Sequence, residues 1–160
     1  MLKLPQGFKT YSLAAGIKYE NRNDLGIIYS EAPASYSGVF TTNRVFAAPV
    51  KLCRERIGSK IQAVVVNSGN ANACTGEEGY QDALHICQQT ESLFGLNGSK
   101  ALSLSTGVIG VPLPIEKILG TLKKYASADT APESFAKTIM TTDTVPKAVS
   151  RKVMLQGKEV

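Results

Sequence analysis

The chain has 160 residues, of which 43% are hydrophobic and 19% are charged, and its formal net charge is +5. This balance is typical of a folded globular protein and excludes a disordered chain. No apolar run approaches the roughly 18–20 residues that span a bilayer. Proline and glycine interrupt residues 1–7 before a secretory signal could form. We therefore expect one α/β domain over 1–160, located in the cytoplasm, without membrane contact.

The positive charges are dispersed along the chain, and tryptophan is absent. The Phe and Tyr residues do not alternate with basic residues, as stacking platforms for bases would. Nucleic acid is therefore not an expected partner, and a basic RNA-binding domain is the weakest of the alternatives. A mildly positive field suits small anionic substrates.

The side chains that offer a nitrogen or sulfur ligand of the kind zinc prefers are few: Cys53, Cys74, Cys87 and a single histidine, His85. A tetrahedral zinc site needs three or four well-placed nitrogen or sulfur ligands, and no Cys-x-x-Cys spacing occurs. We expect no metal and no cofactor, and we expect the three thiols to be reduced and buried. A histidine-dependent catalytic triad is also disfavoured, because His85 lies within a predicted amphipathic helix.

Three segments of the first half have the β-branched or alternating pattern of strands, namely 25–30, 37–42 and 61–66. The first two are predicted to pair across a turn at 32–35. The third lies between glycine-containing segments and is predicted to be buried on both faces. Pro49 predicts the first turn of a short helix over 49–56, because proline is tolerated at that position.

Apolar residues at helical spacing predict three helices in the second half, namely 77–94, 114–125 and 132–140. Short strands are predicted over 101–105 and 148–155. Residues 156–158 are typical of a hairpin turn, after which Glu159 and Val160 would begin a returning strand. A strand pair interrupted there leaves an unpaired edge. We therefore expect a fragment, or one subunit that another polypeptide completes.

Polar residues are concentrated directly after two of the predicted strands and one predicted helix, at 67–76, 105–110 and 140–144. Open α/β sheets bind their ligands at the carboxyl ends of strands. Each segment alone is typical of a turn. Together, and without a catalytic histidine, they predict a site that stabilises charge through hydrogen bonds while the nucleophile comes from elsewhere.

Three motifs carry a resemblance to a known family: Asn-Ser-Gly-Asn-Ala-Asn-Ala-Cys-Thr-Gly at 67–76, Ser-Thr-Gly-Val-Ile-Gly at 105–110 followed by Leu113-Pro114, and Ile-Met-Thr-Thr-Asp-Thr at 139–144 followed by Lys147. They resemble motifs of the bifunctional ornithine acetyltransferase / glutamate N-acetyltransferase family of arginine biosynthesis. Segments 7–8, 15–18 and 24–26 fit the opening of that family. The resemblance covers essentially the whole chain.

The resemblance implies a layered α/β sandwich of β-sheet and helices, of the N-terminal-nucleophile-like type, completed by a second chain. It implies a precursor that cuts itself before a threonine, which then becomes the first residue and the nucleophile of the β chain. The present sequence would be the α chain, stopping at Val160 before the cleavage junction. The implied assembly is a heterotetramer of two α and two β chains.

The resemblance also implies the reaction, acetyl transfer from N2-acetylornithine to glutamate, and leaves open whether acetyl-CoA is a second donor. Thr106 and Gly107 are the implied oxyanion hole, and Thr141, with Thr142 beside it, is the implied contact to the amino-acid substrate. Segment 67–76 is interpreted as a scaffold near the pocket. Lys147 is interpreted as a solvated surface charge.

Two alternative functions stay open for this chain. One is a self-processing aminopeptidase or amidohydrolase of the same architecture, in which water replaces glutamate as the acceptor. The other is a non-catalytic module that binds small anions in backbone nests at the three polar segments.

Overall fold

A computed structural model describes residues 2–98 and 100–159. Its main sheet has four strands, β1 Phe8–Leu13, β2 Leu25–Ser35, β3 Lys60–Asn70 and β4 Ala101–Val108. The strands are ordered β1-β2-β3-β4. The first three are antiparallel, whereas β4 runs parallel to β3. Since a parallel pair needs a long crossover, a helix connects β3 to β4.

The helices are α1 Ala48–Glu55, α2 Gly76–Leu93, α3 Ile115–Leu122 and α4 Pro132–Thr138, with a 3-10 turn at Tyr125–Ser127. The crossover between β3 and β4 is α2. Within the described ranges, no helix is long and apolar enough to cross a membrane.

Helices cover both faces of the sheet, because successive strand residues point to opposite sides. On one face, Leu25, Ile27 and Val65 pack with Ile86 of α2 and Ile118 of α3 to form the main core. The helix α4 packs on the other face, against β1 and β2.

Gly26 is where α4 comes closest to the sheet. A Cβ at this position would lie 2.7 Å from Cε2 of Phe135 in α4, so only glycine permits the observed packing. Over β3 and β4 that face is less well covered, since Val64 and Val66 are half-buried and Leu104 is exposed. Strand β3 is thus buried on one face and half-buried on the other, rather than buried on both as expected.

The predicted strand at 37–42 is wrong, and the predicted turn at 32–35 is part of β2, which pairs there with the start of β3. The segment after β2 is instead held against α1 as a loop. The Tyr36 hydroxyl donates a hydrogen bond to the Cys53 carbonyl at 2.7 Å, and the Phe40 ring lies 5.5 Å from the Arg54 guanidinium. These contacts with a helix outweigh the local strand pattern.

Strand β1 was not predicted from the sequence. Its alternate residues have different surroundings: Tyr11 and Leu13 pack on the main core. Thr10 donates to the Thr130 carbonyl at 3.1 Å, and Ser12 forms a backbone bridge with Asp129. Buried small polar residues on one face conceal the apolar alternation that usually indicates a strand.

The C-terminal segment contains less regular structure than predicted. Helices α3 and α4 stop at Leu122 and Thr138, and the predicted strand at 148–155 is wrong except for β5, Met154–Leu155. The predicted hairpin turn is confirmed, since β5 pairs with β6, Lys158–Glu159. The predicted continuation into Val160 lies outside the described residues.

Candidate functional site

The carboxyl ends of β3 and β4 meet at one edge of the sheet. Both strands continue into the predicted polar segments, so that Ser68 lies opposite Thr106 and Gly69 lies opposite Gly107. The polar residues after the two strands are therefore held by a parallel ladder rather than by independent turns. This register fixes the position of Thr106 and Gly107 relative to the rest of the sheet.

All four residues implied for the site line a single cleft of about 400 Å³: Thr106, Gly107, Thr141 and Thr142. The remaining lining residues are Lys18, Tyr19, Arg22, Gly69 and Val108. The structure thus brings together residues 35 positions apart in sequence, counting from Thr106 to Thr141.

Thr106 and Gly107 present two kinds of hydrogen-bond donor, a hydroxyl and a backbone N–H. Within the part of the chain that is described, the half-buried Thr106 hydroxyl makes no hydrogen bond. Gly107 has a φ of 137°, and a Cβ there would lie 2.3 Å from the carbonyl carbon of Gly69. Both the left-handed φ and this close approach require glycine.

Three buried asparagines fix the loops that follow the strands: Asn67, Asn70 and Asn72. The Asn67 amide donates to the Asn70 carbonyl at 2.8 Å and accepts from Ser105 at 2.5 Å. The Asn70 amide donates to the carbonyls of Val111 and Pro112. The described lining of the cleft includes none of the three, and most of their hydrogen bonds are to backbone groups. We therefore keep the interpretation of 67–76 as a scaffold.

Two cations at the cleft were missed from the sequence, Lys18 and Arg22. Their segment is fixed by the buried Asp24 carboxylate, which accepts hydrogen bonds from the backbone N–H groups of Ala15 at 2.7 Å and Ile17 at 2.6 Å. The Tyr19 ring lies within cation–π distance of both cations, at 5.2 and 5.3 Å. Two basic residues four apart, just before Asp24, were the available signal in the sequence.

Arg22 also connects the segment that contains Thr141 and Thr142 to strand β3. Its guanidinium donates to the Met140 carbonyl and to the Ser68 hydroxyl, and Ser68 donates to the Thr138 carbonyl at 2.6 Å. The chain leaving α4 is thereby held beside the end of β3. Thr141 is half-buried in this position, whereas the neighbouring Thr142 is exposed.

A second cavity, of about 480 Å³, adjoins the cleft and shares Arg22 and Thr141 with it. It also contains Lys137 and Asp143. The Lys147 ammonium, exposed as expected, forms an ion pair with Asp143 and lowers the pKa of that carboxyl. Thr141 thus lies between the two cavities.

The cysteines are distributed between the core and the surface. Cys53 and Cys87 are buried, and burial raises the pKa of both thiols, that of Cys87 to about 12. The expectation of a buried thiol is wrong for Cys74, which is exposed and has a left-handed φ of 58° in the loop before α2. Among the described residues, no group of three or more His, Cys, Asp or Glu side chains could hold a metal.

Together, the fold and the cleft define an α/β sandwich protein whose site combines hydroxyls, a glycine backbone and two cations at the ends of adjacent parallel strands. The sequence profile of the ArgJ family matches residues 9–160, and the chain belongs to this family.

Its relatives include arginine biosynthesis bifunctional proteins ArgJ from Caldanaerobacter subterraneus, 47% identical over 99% of this chain, and Thermotoga neapolitana, 46% identical over 98%. The chain spans about two fifths of the length of these relatives, 40% in both cases.

Two crystal structures have the same fold, which confirms the predicted fold class. The Bacillus halodurans arginine biosynthesis bifunctional protein ArgJ superposes with a TM-score of 0.82 at 35% identity, over 97% of this chain and 83% of that one. The Mycobacterium tuberculosis ornithine acetyltransferase complexed with ornithine also has a TM-score of 0.82, at 34% identity, over 88% of this chain and 79% of that one.

Proposed function

We propose that this chain is the α chain of an acetyltransferase that moves an acetyl group from N2-acetylornithine to glutamate. The observation that carries the proposal is the convergence of Thr106, Gly107, Thr141 and Thr142 on one cleft. The names of the relatives place them in arginine biosynthesis, and the related M. tuberculosis structure contains ornithine.

The nucleophile in this proposal is the N-terminal threonine of a β chain cut from the same precursor. Its α-amino group, with an ordinary pKa of about 7.7–8.0, accepts the hydroxyl proton, so no histidine is needed. The threonine oxygen bonds to the acetyl carbon, the amide C–N bond breaks, and ornithine leaves with the proton. The glutamate amine then attacks the acetyl-threonine ester, which regenerates the hydroxyl and releases N-acetylglutamate.

The donors of this chain stabilise the oxyanion that forms in each step. The Thr106 hydroxyl and the Gly107 N–H are the proposed pair, and they gain most when the carbonyl oxygen carries full negative charge. The unpaired state of the Thr106 hydroxyl in the described chain supports this role. A hydroxyl already bonded within the protein would have to break that bond first.

The remaining polar groups of the cleft fit the substrates. Both N2-acetylornithine and glutamate carry an α-carboxylate, and Lys18 and Arg22 make the wall of the cleft positive. Thr141 supplies the neighbouring hydroxyl, with Thr142 as the second candidate. The word bifunctional in the names of the relatives favours a second donor, for which acetyl-CoA is the candidate.

The surface beside the cleft provides an argument for a partner chain. Among the described residues, no strand pairs with the second edge of β4. Leu104 and Val108 of β4 and Ile109 directly after it are exposed, at 40%, 39% and 64%. An unpaired strand edge, together with exposed apolar side chains on the same segment, is typical of a surface that another chain covers. We propose that the β chain covers it, in a cytoplasmic heterotetramer of two α and two β chains.

Intact mass spectrometry of the full-length protein tests the proposal. We expect a second chain that begins with threonine, gains one acetyl group from N2-acetylornithine and loses it on addition of glutamate, with formation of N-acetylglutamate. Loss of the acetyl group without glutamate would indicate an amidohydrolase. Absence of any acetyl adduct, with anion binding by this chain alone, would overturn the proposal.

A further inference from the structure

A separate pocket, of about 220 Å³, lies at the start of α2, and the described residues that line it are all different from those of the cleft. One wall comes from the turn before α2 and from the helix itself, and the other from the loop after β4. Its lining residues are Cys74, Thr75, Glu78, Gly79, Asp82, Gly110 and Pro112.

Buried hydrogen bonds hold both walls of this pocket in place. The Asn72 amide donates to the Gly79 carbonyl at 2.7 Å, and its oxygen accepts from the Thr75 hydroxyl at 2.8 Å. Across the pocket, the Gly110 N–H donates to the Ala73 carbonyl at 2.9 Å. Gly79 lets the helix approach this turn, since a Cβ there would lie 1.9 Å from the Thr75 hydroxyl oxygen.

Asp82 is the unusual residue of the pocket. Only 8% of it is exposed, and across residues 2–98 and 100–159 its carboxylate has neither a hydrogen bond nor an ion pair. A carboxylate on a side chain this far buried is usually paired, because even partial removal of an unpaired charge from water is costly. The missing partner of Asp82 is therefore a feature that requires an explanation.

The surrounding charges indicate the kind of partner. Glu78 lies one helical turn before Asp82 and lines the same pocket, and no basic residue is among the described residues that line it. Burial and the Glu78 carboxylate raise the pKa of Asp82, while His85, outside the pocket, acts in the opposite direction. The Cys74 thiol is the one other ionisable group in the described part of this lining. The pocket therefore has an uncompensated negative charge.

We infer that this pocket binds one organic cation, an ammonium or guanidinium group, against the carboxylates of Asp82 and Glu78. An organic cation fits better than a metal ion, because the described side chains include no group of three or more metal-ligating residues. The cation belongs either to a small molecule or to a Lys or Arg side chain from elsewhere in the assembled protein. Both sources share the same chemistry and differ in how the site responds to added cation.

Cys74 provides a local readout, since it lines the pocket and is exposed, whereas Cys53 and Cys87 are buried. We would measure the rate at which iodoacetamide alkylates Cys74 in the full-length protein, with n-butylguanidinium as the probe and sodium chloride at matched ionic strength. The variants are D82N and E78Q. The matched control is E77Q, because Glu77 is in the same helical turn but does not line this pocket.

If the pocket is unoccupied in the assembled protein, the probe binds there and protects Cys74 from alkylation in a saturable way. At twice its dissociation constant the probe leaves about one third of sites open, so alkylation slows about threefold in the wild type and E77Q. D82N and E78Q lose this protection. If a side chain of the assembly fills the pocket, the probe has no effect on the wild type, and D82N is alkylated at least about threefold faster than E77Q.

Protection by the probe and faster alkylation of D82N each support an organic cation bound to Asp82. The first result indicates a small molecule as its source, and the second indicates a Lys or Arg side chain. The proposal is overturned if the wild type, D82N and E77Q are alkylated at rates within about twofold of each other and none responds to the probe. Should D82N fail to fold, the same comparison of E78Q with E77Q decides the question, since Glu78 is exposed and its replacement leaves the core intact.

Discussion

Gly69 and Gly107 lie opposite each other across the parallel pair of β3 and β4, with their backbones in direct contact. A Cβ on Gly107 would lie 2.3 Å from the carbonyl carbon of Gly69 and 2.6 Å from the nitrogen of Asn70. Since both obstacles are backbone atoms, no side-chain movement can relieve the clash. The N–H of Gly107 therefore depends on this contact for its position in the cleft.

We expect Gly107→Ala to abolish transfer and to lower the free energy of unfolding by about 2 kcal/mol or more, through overpacking and the left-handed φ. Urea unfolding and steady-state kinetics of the full-length protein measure both effects. Gly120→Ala in α3 is the control, since no atom of the described chain lies within 4 Å of its Cβ position. In a helix that change is stabilising by about 0.5–1 kcal/mol. Normal turnover by the Gly107 variant would contradict the assigned geometry.

Thr106 tests the oxyanion role directly. We expect Thr106→Ala to lower kcat about 100- to 1,000-fold, equivalent to about 3 kcal/mol, because one preorganised donor is lost. Stability should stay close to that of the wild type, since the hydroxyl makes no hydrogen bond in the described chain. Thr106→Ser keeps the donor and should recover most of the activity. A change below about threefold in the alanine variant would remove Thr106 from the mechanism.

The two threonines after α4 are distinguishable by their surroundings. Thr141 is half-buried and lines both cavities, whereas Thr142 is exposed and lines only the cleft. We expect Thr141→Val to raise the KM for N2-acetylornithine by about tenfold, the cost of one hydrogen bond of about 1.4 kcal/mol. Thr142→Val is the matched control and should change KM by less than about twofold. The reverse order would assign the substrate contact to Thr142.

Arg22 joins the cleft to the segment that carries Thr141, through the Met140 carbonyl and the Ser68 hydroxyl. We expect Arg22→Lys to raise KM for both amino acids, because lysine keeps the charge but not the planar, forked donor geometry. Arg22→Met should have the larger effect, since the charge is lost too. Lys123→Met, on the exposed end of α3, is the control for the loss of one positive charge. Equal KM values in all four proteins would exclude carboxylate recognition by Arg22.

The sequence predicted those elements whose pattern is local. The helical spacing of 77–94 predicted α2 nearly correctly, and the β-branched residues of 61–66 located β3, which extends four residues further, to Asn70. The same local criterion failed at 37–42, because contacts of Tyr36 and Phe40 with α1 determine that segment. Strands that depend on distant partners cannot be identified from their own residues alone.

The candidate site, like the fold, was predicted from the sequence only in part. The motifs indicated Thr106, Gly107 and Thr141, which the structure brings to one cleft. Lys18 and Arg22 were missed because their segment is positioned by the Asp24 carboxylate and by the hydrogen bonds of Arg22 to Ser68 and Met140, which are distant in sequence. Nothing in the sequence near Lys18 or Arg22 specifies that they line the same cleft as Thr141.

Cys87 makes stability depend on pH in the alkaline range. Burial raises the pKa of this thiol to about 12 in the folded protein, whereas an unfolded cysteine has a pKa of about 8.5. Between these values the folded state binds more protons than the unfolded state, so stability falls as pH rises. The free energy of unfolding should decrease by up to about 1.4 kcal/mol per pH unit from this group alone.

Urea unfolding of the full-length protein at pH 8 and pH 10 measures this dependence, and the comparison with Cys87→Ala isolates it from the titration of Lys and Tyr. We expect a shallower pH slope in Cys87→Ala, even though the variant starts from a lower stability because it leaves a small cavity. Identical slopes in the wild type and Cys87→Ala would mean that Cys87 ionises as readily in the folded chain as in the unfolded one. The close packing of Cys87 against Leu52, Ala63 and Ala83 argues against that outcome.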